Sequence, residues 1–331
     1  MMKKFNYSNL LARVDWLPIL GITVVSIIAL SIIAPAFLTR TNLFVMLRIL
    51  SVTSIVAMAQ MIVIGLGQMN LAVGAIGGLV AILFGGMMEV YGVPVPAAAL
   101  IGLLIGVACG LINGMLIAFT GINGFIITLA TMSIYTGLNY GITESIPFYH
   151  MPKQLIAWYD SYLGPIPNIV FIPLVTATLV ALFLFRHPWG RYILAVGGNP
   201  AAAELSGISV RKTTLVAHTV SGALGALAGV VSVARLGTAE PTIGAVWLLP
   251  SFAAPVIGGA VLAGGYVSVV GTMIAVVMIL LLENGLFIAR TNPYYMDFFL
   301  GLLILAAVVF NRWRTVQSEK KEAAVVIGER A

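Results

Sequence analysis

Apolar runs separated by short polar punctuation recur along the chain, and each approaches the roughly 20 residues a helix needs to cross the hydrocarbon core of a bilayer. Ten stand out, at 17–37, 43–66, 70–90, 95–118, 123–141, 166–185, 213–234, 248–265, 269–288 and 295–311. Inside lipid the backbone must satisfy its own hydrogen bonds, which leaves helices or closed barrels, and runs of this length select helices. The expected fold class is an all-α integral membrane protein, a polytopic bundle of about ten transmembrane helices. Composition excludes the soluble alternative: of 331 residues 60% are hydrophobic and 8% charged, whereas a water-facing surface needs roughly 25–35% charge.

Charge placement orients the bundle. With the N-terminus inside, the segment 1–16, the loop 186–212 and the tail 312–331 all face the cytoplasm. Lys3, Lys4, Arg13, Arg186, Arg191, Arg211, Lys212, Arg312, Arg314, Lys320, Lys321 and Arg330, twelve of the 17 Lys and Arg, lie there, as the positive-inside rule asks. Residues 17–311 then form one transmembrane domain between two cytoplasmic ends, of which 312–331 is expected to be disordered. The first run follows a basic stretch like that of a signal peptide, but no small-residue cleavage site precedes Pro35 and more spans follow, so it reads as a retained helix. Glycines and prolines in 70–90 and 248–265 invite broken or re-entrant helices. An eight-span topology is the alternative.

The same residues exclude several functions. One cysteine, Cys109, rules out an intrachain disulfide and a Cys-based metal cluster, and three scattered histidines offer no metal site. Basic residues flank apolar segments and are not interleaved with aromatics, which argues against nucleic acid. Catalytic constellations are absent, and no G-x-x-x-x-G-K-[ST] stretch supplies a phosphate loop. Glu283 is the one acid well inside an expected span, with Arg290 seven residues on as a partner on roughly the same face. Any ATP-driven work would need a separate polypeptide.

Helix packing is expected along glycine, because close backbone approach replaces the hydrophobic effect in lipid. Gly102, Gly106, Gly110 and Gly114 recur every four residues, and Ser221, Gly225 and Gly229 repeat the pattern. The long outside segment, about 142–165, carries Phe148, Tyr149, Trp158, Tyr159 and Tyr162, which fit an interfacial aromatic belt or a docking surface for an external partner. A faint internal echo links NLAVGAIGGL at 70–79 to YVSVVGTMIA at 266–275.

The inside loop GRYILAVGGNPAAAELSGISVRK at 190–212 reads as a short helix: Asn199 as N-cap, Pro200 at N1, Ala201 to Leu205 propagating and Gly207 terminating. It is too short to span. Its alanine face suits a groove on a soluble partner, or it merely joins two spans.

Four stretches in the same order carry a family resemblance. GRYILAVGGNPAAAELSGI looks like the cytoplasmic coupling segment of permease subunits in ribose-type carbohydrate ABC importers. GLGQMNLAVGAIGGL at 65–79 resembles that family's Gly-Gly-Ile-Asp-Leu-Ser-Val-Gly motif, INGFIITLATMSIYTGL at 122–138 its Asn-Pro-Phe-Ile-x-Thr-Leu segment, and APVIGGAVLAGGYVSVVGT at 254–272 its glycine-rich late segment. The resemblance implies an inner-membrane subunit of a bacterium, cytoplasmic ATPase partners that hold ATP and Mg, a periplasmic sugar-binding protein and a second permease copy. No cofactor is implied in this chain itself. By the family pattern Asn199, Ala202, Ala203, Glu204, Ser206, Gly207 and Ile208 face the ATPase, while Gln68, Asn70, Asn123, Thr128 and Thr131 lie near the pathway, with Asn70 and Thr128 offering hydrogen bonds to solute.

Three departures bear on the substrate. Asn70 stands where the family usually has Asp, Gly124 replaces a usual Pro, and Trp247, Leu248, Leu249 and Pro250 stand where Tyr-Glu-Leu-Asp is typical. The expected function is import of a pentose or hexose, with another neutral solute such as a polyol or nucleoside as the variant through the same machinery. An ATP-independent carrier or channel is the rival from another class, and sparse intramembrane charge argues against ion coupling.

Overall fold

The computed structural model describes residues 16–163 and 166–290, with single positions between 295 and 309. The expected cytoplasmic ends and most of the expected tenth span lie outside the described residues. The chain runs through α1 (Leu17–Ile33), α2 (Arg40–Gly65), α3 (Val73–Glu89), α4 (Val95–Thr120), α5 (Gly124–Thr143) and the short α6 (Lys153–Tyr159). A hairpin of β1 (Tyr162–Leu163) and β2 (Ile166–Pro167) leads to α7 (Phe171–Arg186), α8 (Pro188–Gly198), α9 (Pro200–Leu205), α10 (Val210–Leu236), α11 (Leu248–Ile257) and α12 (Val269–Ile288).

Local chemistry sets these boundaries. Thr39, Asn123, Ser209 and Ser268 each accept from a backbone N–H of the first turn and so begin α2, α5, α10 and α12. Gly121 and Gly237, both at φ 71°, end α4 and α10 in the left-handed conformation that glycine alone adopts without cost. The first helix stops at Ile33, four residues short of the apolar run, because Pro35 disfavours helical backbone at Ala34.

Among the described residues six helices are long and apolar enough to cross a membrane: α2, α4, α5, α7 with its leading turn, α10 and α12. Three apolar helices, α1, α3 and α11, are shorter, at 17, 17 and 10 residues. The all-helical membrane architecture agrees with the sequence expectation of about ten transmembrane helices, some broken or re-entrant, whereas the described residues hold six of full length. Ten residues rise about 15 Å, half a hydrocarbon core, so α11 completes its path only through the irregular leg 258–268, as α3 does through 66–72. Gly67 meets Ala263 and Gly264, so the two legs touch. The segments 70–79 and 266–275, faintly alike in sequence, both lead from such a leg into a helix.

Burial sorts the helices. From Ile55 to Gly65 α2 is buried throughout, and α10 is buried along most of its length. Around them α4, α5 and α7 turn Leu104, Ile126, Leu138 and Leu179 outward. Such a shell would aggregate in water and is the expected surface in lipid.

The closest packing lies between α4 and α10. A Cβ on Gly106 would fall on Ala226 and 2.7 Å from the Gly222 carbonyl oxygen; one on Gly110 would fall on the His218 carbonyl and 3.0 Å from the Gly222 Cα; one on Gly114 would lie 2.9 Å from the Leu215 Cα. Gly102 instead faces Val80 of α3, and Gly225 and Gly229 approach the carbonyls of Val73 and Gly77. Small residues on α10 therefore admit both neighbours, Gly222 and Ala226 toward α4 and Gly225 and Gly229 toward α3. Gly222, outside the glycine pattern read from the sequence, is the residue that meets the α4 stripe.

At the end bearing α6, residues 142–163 fold back onto the bundle. Tyr159 is buried and shares a 3.0 Å hydrogen bond with Ser51, Arg48 pairs with Asp160, and Glu89 accepts from the backbone N–H of His150 at 2.9 Å. Burial pushes the Tyr159 phenol above its ordinary pKa. Of the five aromatics, Phe148 and Tyr159 are packed inside, while Tyr149, Trp158 and Tyr162 stay exposed. At the far end of α12, half-buried Glu283 borders a groove with Asn42 and Asn284, whose side-chain amides pair at 3.0 and 2.8 Å.

Candidate functional site

The irregular leg 66–72 carries the site. Its backbone is held by buried polar side chains in place of helical bonds, since a free backbone group in lipid costs several kcal/mol. Asn70 is wholly buried: its Oδ1 accepts from the Ala72 N–H at 3.0 Å and starts α3, and its Nδ2 donates to Ser221 Oγ at 3.0 Å. With its amide turned to pair, buried Gln60 donates to the Asn70 carbonyl at 3.0 Å and accepts from the Asn70 N–H at 3.2 Å. Gln68 meets His218 of α10 at 3.0 Å between Oε1 and Nε2. His218 and Ser221 lie 8 and 11 residues into α10, about 12 and 16 Å along its axis. That is near the middle of a ~30 Å core.

Two cavities flank this leg. The larger, about 690 Å³, is lined by Gly67, Gln68 and Met69 with Asn123, Gly124, Arg211 and Thr214. A smaller one, about 290 Å³, is lined by Leu71 and Gly74 with Thr136, Asn139, Tyr140 and Gly244. The leg separates them, with Asn70 in the partition, and α5 runs beside both. No Asp or Glu lines either.

Residues expected near the pathway divide accordingly. Gln68 and Asn123 reach the larger cavity, though Asn123 also caps α5 through the Phe125 N–H at 2.9 Å. Asn70 forms part of the wall. Thr128 and Thr131 are buried with their hydroxyls on the carbonyls of Gly124 and Thr128, at 2.7 and 3.3 Å. Without water, a helical hydroxyl turns to its own backbone, and here the Asn70 amide and the Thr128 hydroxyl each bond within the chain. Sequence reasoning missed Gln60, Asn139 and His218. Their signal was available, because a polar residue within an apolar span is a functional candidate by default.

The departures have a packing consequence. Trp247 lies against α3, where a Cβ on Gly77 would fall on the indole and one on Gly74 would sit 3.6 Å from the Trp247 Cβ. Bulk on the 245–259 segment is thus accommodated by absent side chains on α3.

At the other end of the larger cavity, α9 is capped twice. Asn199 Oδ1 accepts from the Ala202 N–H at 3.0 Å. Beyond the helix, the Ile208 and Gly207 N–H groups donate to the carbonyls of Ala203 and Glu204 at 3.0 and 2.9 Å, with Gly207 at φ 80°, a Schellman closure. Ser206 Oγ donates to the Ala202 carbonyl at 2.9 Å. Ala203 is buried and anchors the helix, whereas Ala202, Glu204 and Leu205 face outward, Leu205 at 91% exposure. That leucine was not among the residues picked from the sequence.

A glycine junction joins α9 to the cavity wall. Gly197, two residues before Asn199, lies on the Gly65 carbonyl and within 2.6 Å of Gly265 N as measured from its would-be Cβ; Gly265 N–H donates to Gly65 O at 2.9 Å. A Cβ on Gly264 would stand 2.7 Å from both Gly197 O and Gly67 N. Three backbone segments meet there with no side chain between them. The end of α8, two residues before α9 begins at its cap, and the start of the 66–72 leg are thus joined by backbone contacts.

Residues 42–308 match a family described as branched-chain amino acid transport system / permease component. The chain is 34% identical over 314 residues to the ribose import permease protein of Bacillus subtilis (strain 168), covering 94% of this chain and 96% of that protein. Over 276 residues it is 35% identical to the D-allose transport system permease protein of Escherichia coli (strain K12), covering 83% and 85%. Similarity to the fructose import permease protein of Rhizobium meliloti is 33% over 301 residues, covering 88% and 84%. No solved structure matches the chain.

Proposed function

The chain belongs to the family of transport-system permease components, and from that premise we propose that it is the membrane-spanning subunit of an ABC importer for a pentose or hexose. It is a multi-pass membrane protein that does no chemistry of its own. In this reading ATP and Mg sit on cytoplasmic ATPase partners, an external binding protein delivers the sugar, a second permease copy completes the pathway, and the setting is a bacterial inner membrane with both termini inside. ATPase closure moves α9 through Asn199, Ala202, Ala203, Glu204, Ser206, Gly207 and Ile208, the glycine junction passes the motion to the 66–72 leg, and the partition between the two cavities shifts to alternate access.

The family's description names amino acids, yet the wall chemistry favours a neutral solute. An amino acid's ammonium asks for a carboxylate in a water-poor site, and among the described residues neither cavity has one, although Arg211 in the larger cavity could meet a carboxylate end. Polar amides and hydroxyls suit sugar hydroxyls, and the similar permeases are named for ribose, allose and fructose.

Leu205 is the observation that carries the coupling assignment: a large apolar side chain, held out from a helix closed at both ends, is left almost wholly uncovered by the described residues. An exposed leucine of this kind is an anchor for a partner's groove. Leu205→Asp is expected to weaken ATPase association and sugar uptake at least about tenfold with membrane levels unchanged, read by co-purification and uptake. Uptake at the wild-type rate would remove α9 from the coupling role. Asn199→Ala, which deletes one cap worth about 1 kcal/mol, is expected to give a milder loss in the same assay.

A further inference from the structure

The larger cavity has one donor that is fixed from behind. His218 is fully buried, and its backbone is packed closely against α4, since a Cβ on Gly114 would lie 3.3 Å from the His218 Cβ and one on Gly110 would fall on its carbonyl. Its Nε2 lies 3.0 Å from Gln68 Oε1, and Nδ1 is buried without a partner among the described residues. A buried N–H without an acceptor is rarer and costlier than an under-used acceptor nitrogen, so the proton belongs on Nε2 and Nδ1 is the bare nitrogen. His218 then donates to Gln68 Oε1, which fixes the rotation of the Gln68 amide and leaves its NH₂ as the donor end in the cavity it lines. Left free, that amide would turn either end toward a solute.

We infer that His218 is a positioning residue that fixes Gln68 as a hydrogen-bond donor, creating in the larger cavity a transient subsite for an acceptor oxygen of a neutral polyhydroxylated solute. The inference rests on the sugar-import reading. Neighbouring Arg211 and Asn123 line the same cavity, so its polar wall is weighted toward N–H groups and matches hydroxyl and ring oxygens. One neutral hydrogen bond gives weak, passing contact, consistent with a pathway and not a storage site.

The test uses cells carrying the complete transporter and measures uptake of labelled D-ribose, D-allose and D-fructose, each beside its monodeoxy analogues. His218→Leu keeps the apolar packing but removes the donor, His218→Gln restores an amide donor, and Gln68→Leu removes the subsite. Expected is a roughly three- to tenfold slower uptake for H218L, a smaller preference for the parent sugar over one deoxy analogue, recovery of that preference in H218Q, and a double H218L/Q68L variant no worse than Q68L alone. Additive losses, or an unchanged parent-to-deoxy ratio in H218L, would overturn the positioning role. Should H218L not reach the membrane, the ratio in Q68L and H218Q decides the matter: an unchanged ratio in Q68L overturns the subsite. If wild-type cells take up none of the three sugars in a gene-dependent way, the sugar reading itself fails, a result separable from failure of the subsite.

Discussion

Gly110→Val is expected to remove most of the folded protein from the membrane. The substituted position faces the His218 carbonyl and stands 3.0 Å from the Cα atoms of Gly222 and Thr219. These are backbone atoms of a long helix, and they cannot rotate away as a side chain would. The helices must separate, which also opens the contacts of Gly106 and Gly114 along the same face. Overpacking costs about 3 kcal/mol at the upper end of its usual range, and in lipid no hydrophobic gain offsets lost contact between helices. A more than tenfold drop in detergent-stable, monodisperse protein is the expected result. Gly137→Val in α5 is the control, because nothing lies within 4 Å of its Cβ position. Equal yields of the two variants would contradict the packing account.

Gly197→Ala is expected to stop transport, by tenfold or more, with less damage to the fold. One methyl there meets the Gly65 carbonyl and Gly265 N, whereas a methyl on neighbouring Gly198 finds only the Gly265 Cα at 3.8 Å, an ordinary contact. The two alanine variants have the same composition and nearly the same place, so they isolate the junction. G197A should retain yield and ATPase association but lose uptake per ATP hydrolysed, because the segment beside α9 and the cavity partition are pushed out of contact. G198A should behave as wild type. Equal coupling ratios in both would show that motion of α9 does not travel through this junction.

Much of this architecture was legible in the chain. Apolar runs marked α2, α4, α5, α10 and α12 to within a few residues, and Asn199, Pro200 and Gly207 marked α9, because caps and turns are written locally. The interior of the site was not. The irregular leg 66–72 is held by Gln60, which pairs with the Asn70 backbone, and by Ser221 and His218, about 150 residues on, which meet the Asn70 and Gln68 side chains only once the chain is folded. Likewise the four-residue spacing showed that α4 has a bare face but not which partner it meets, and Gly222 was visible only with α10 in place. Thr128 looked like a solute contact because hydroxyls in spans often are; its hydroxyl is spent on Gly124. Leu205 passed as one more apolar residue, since exposure cannot be read from composition.

Uptake of labelled pentoses, hexoses, polyols, nucleosides and branched-chain amino acids, with and without this gene and with the Walker lysine of the partner ATPase replaced, tests the central claim most directly. ATP-coupled sugar import predicts that uptake of one pentose or hexose disappears in both altered strains. Uptake that needs this gene but survives the lysine change, or gene-dependent uptake of an amino acid alone, would contradict it.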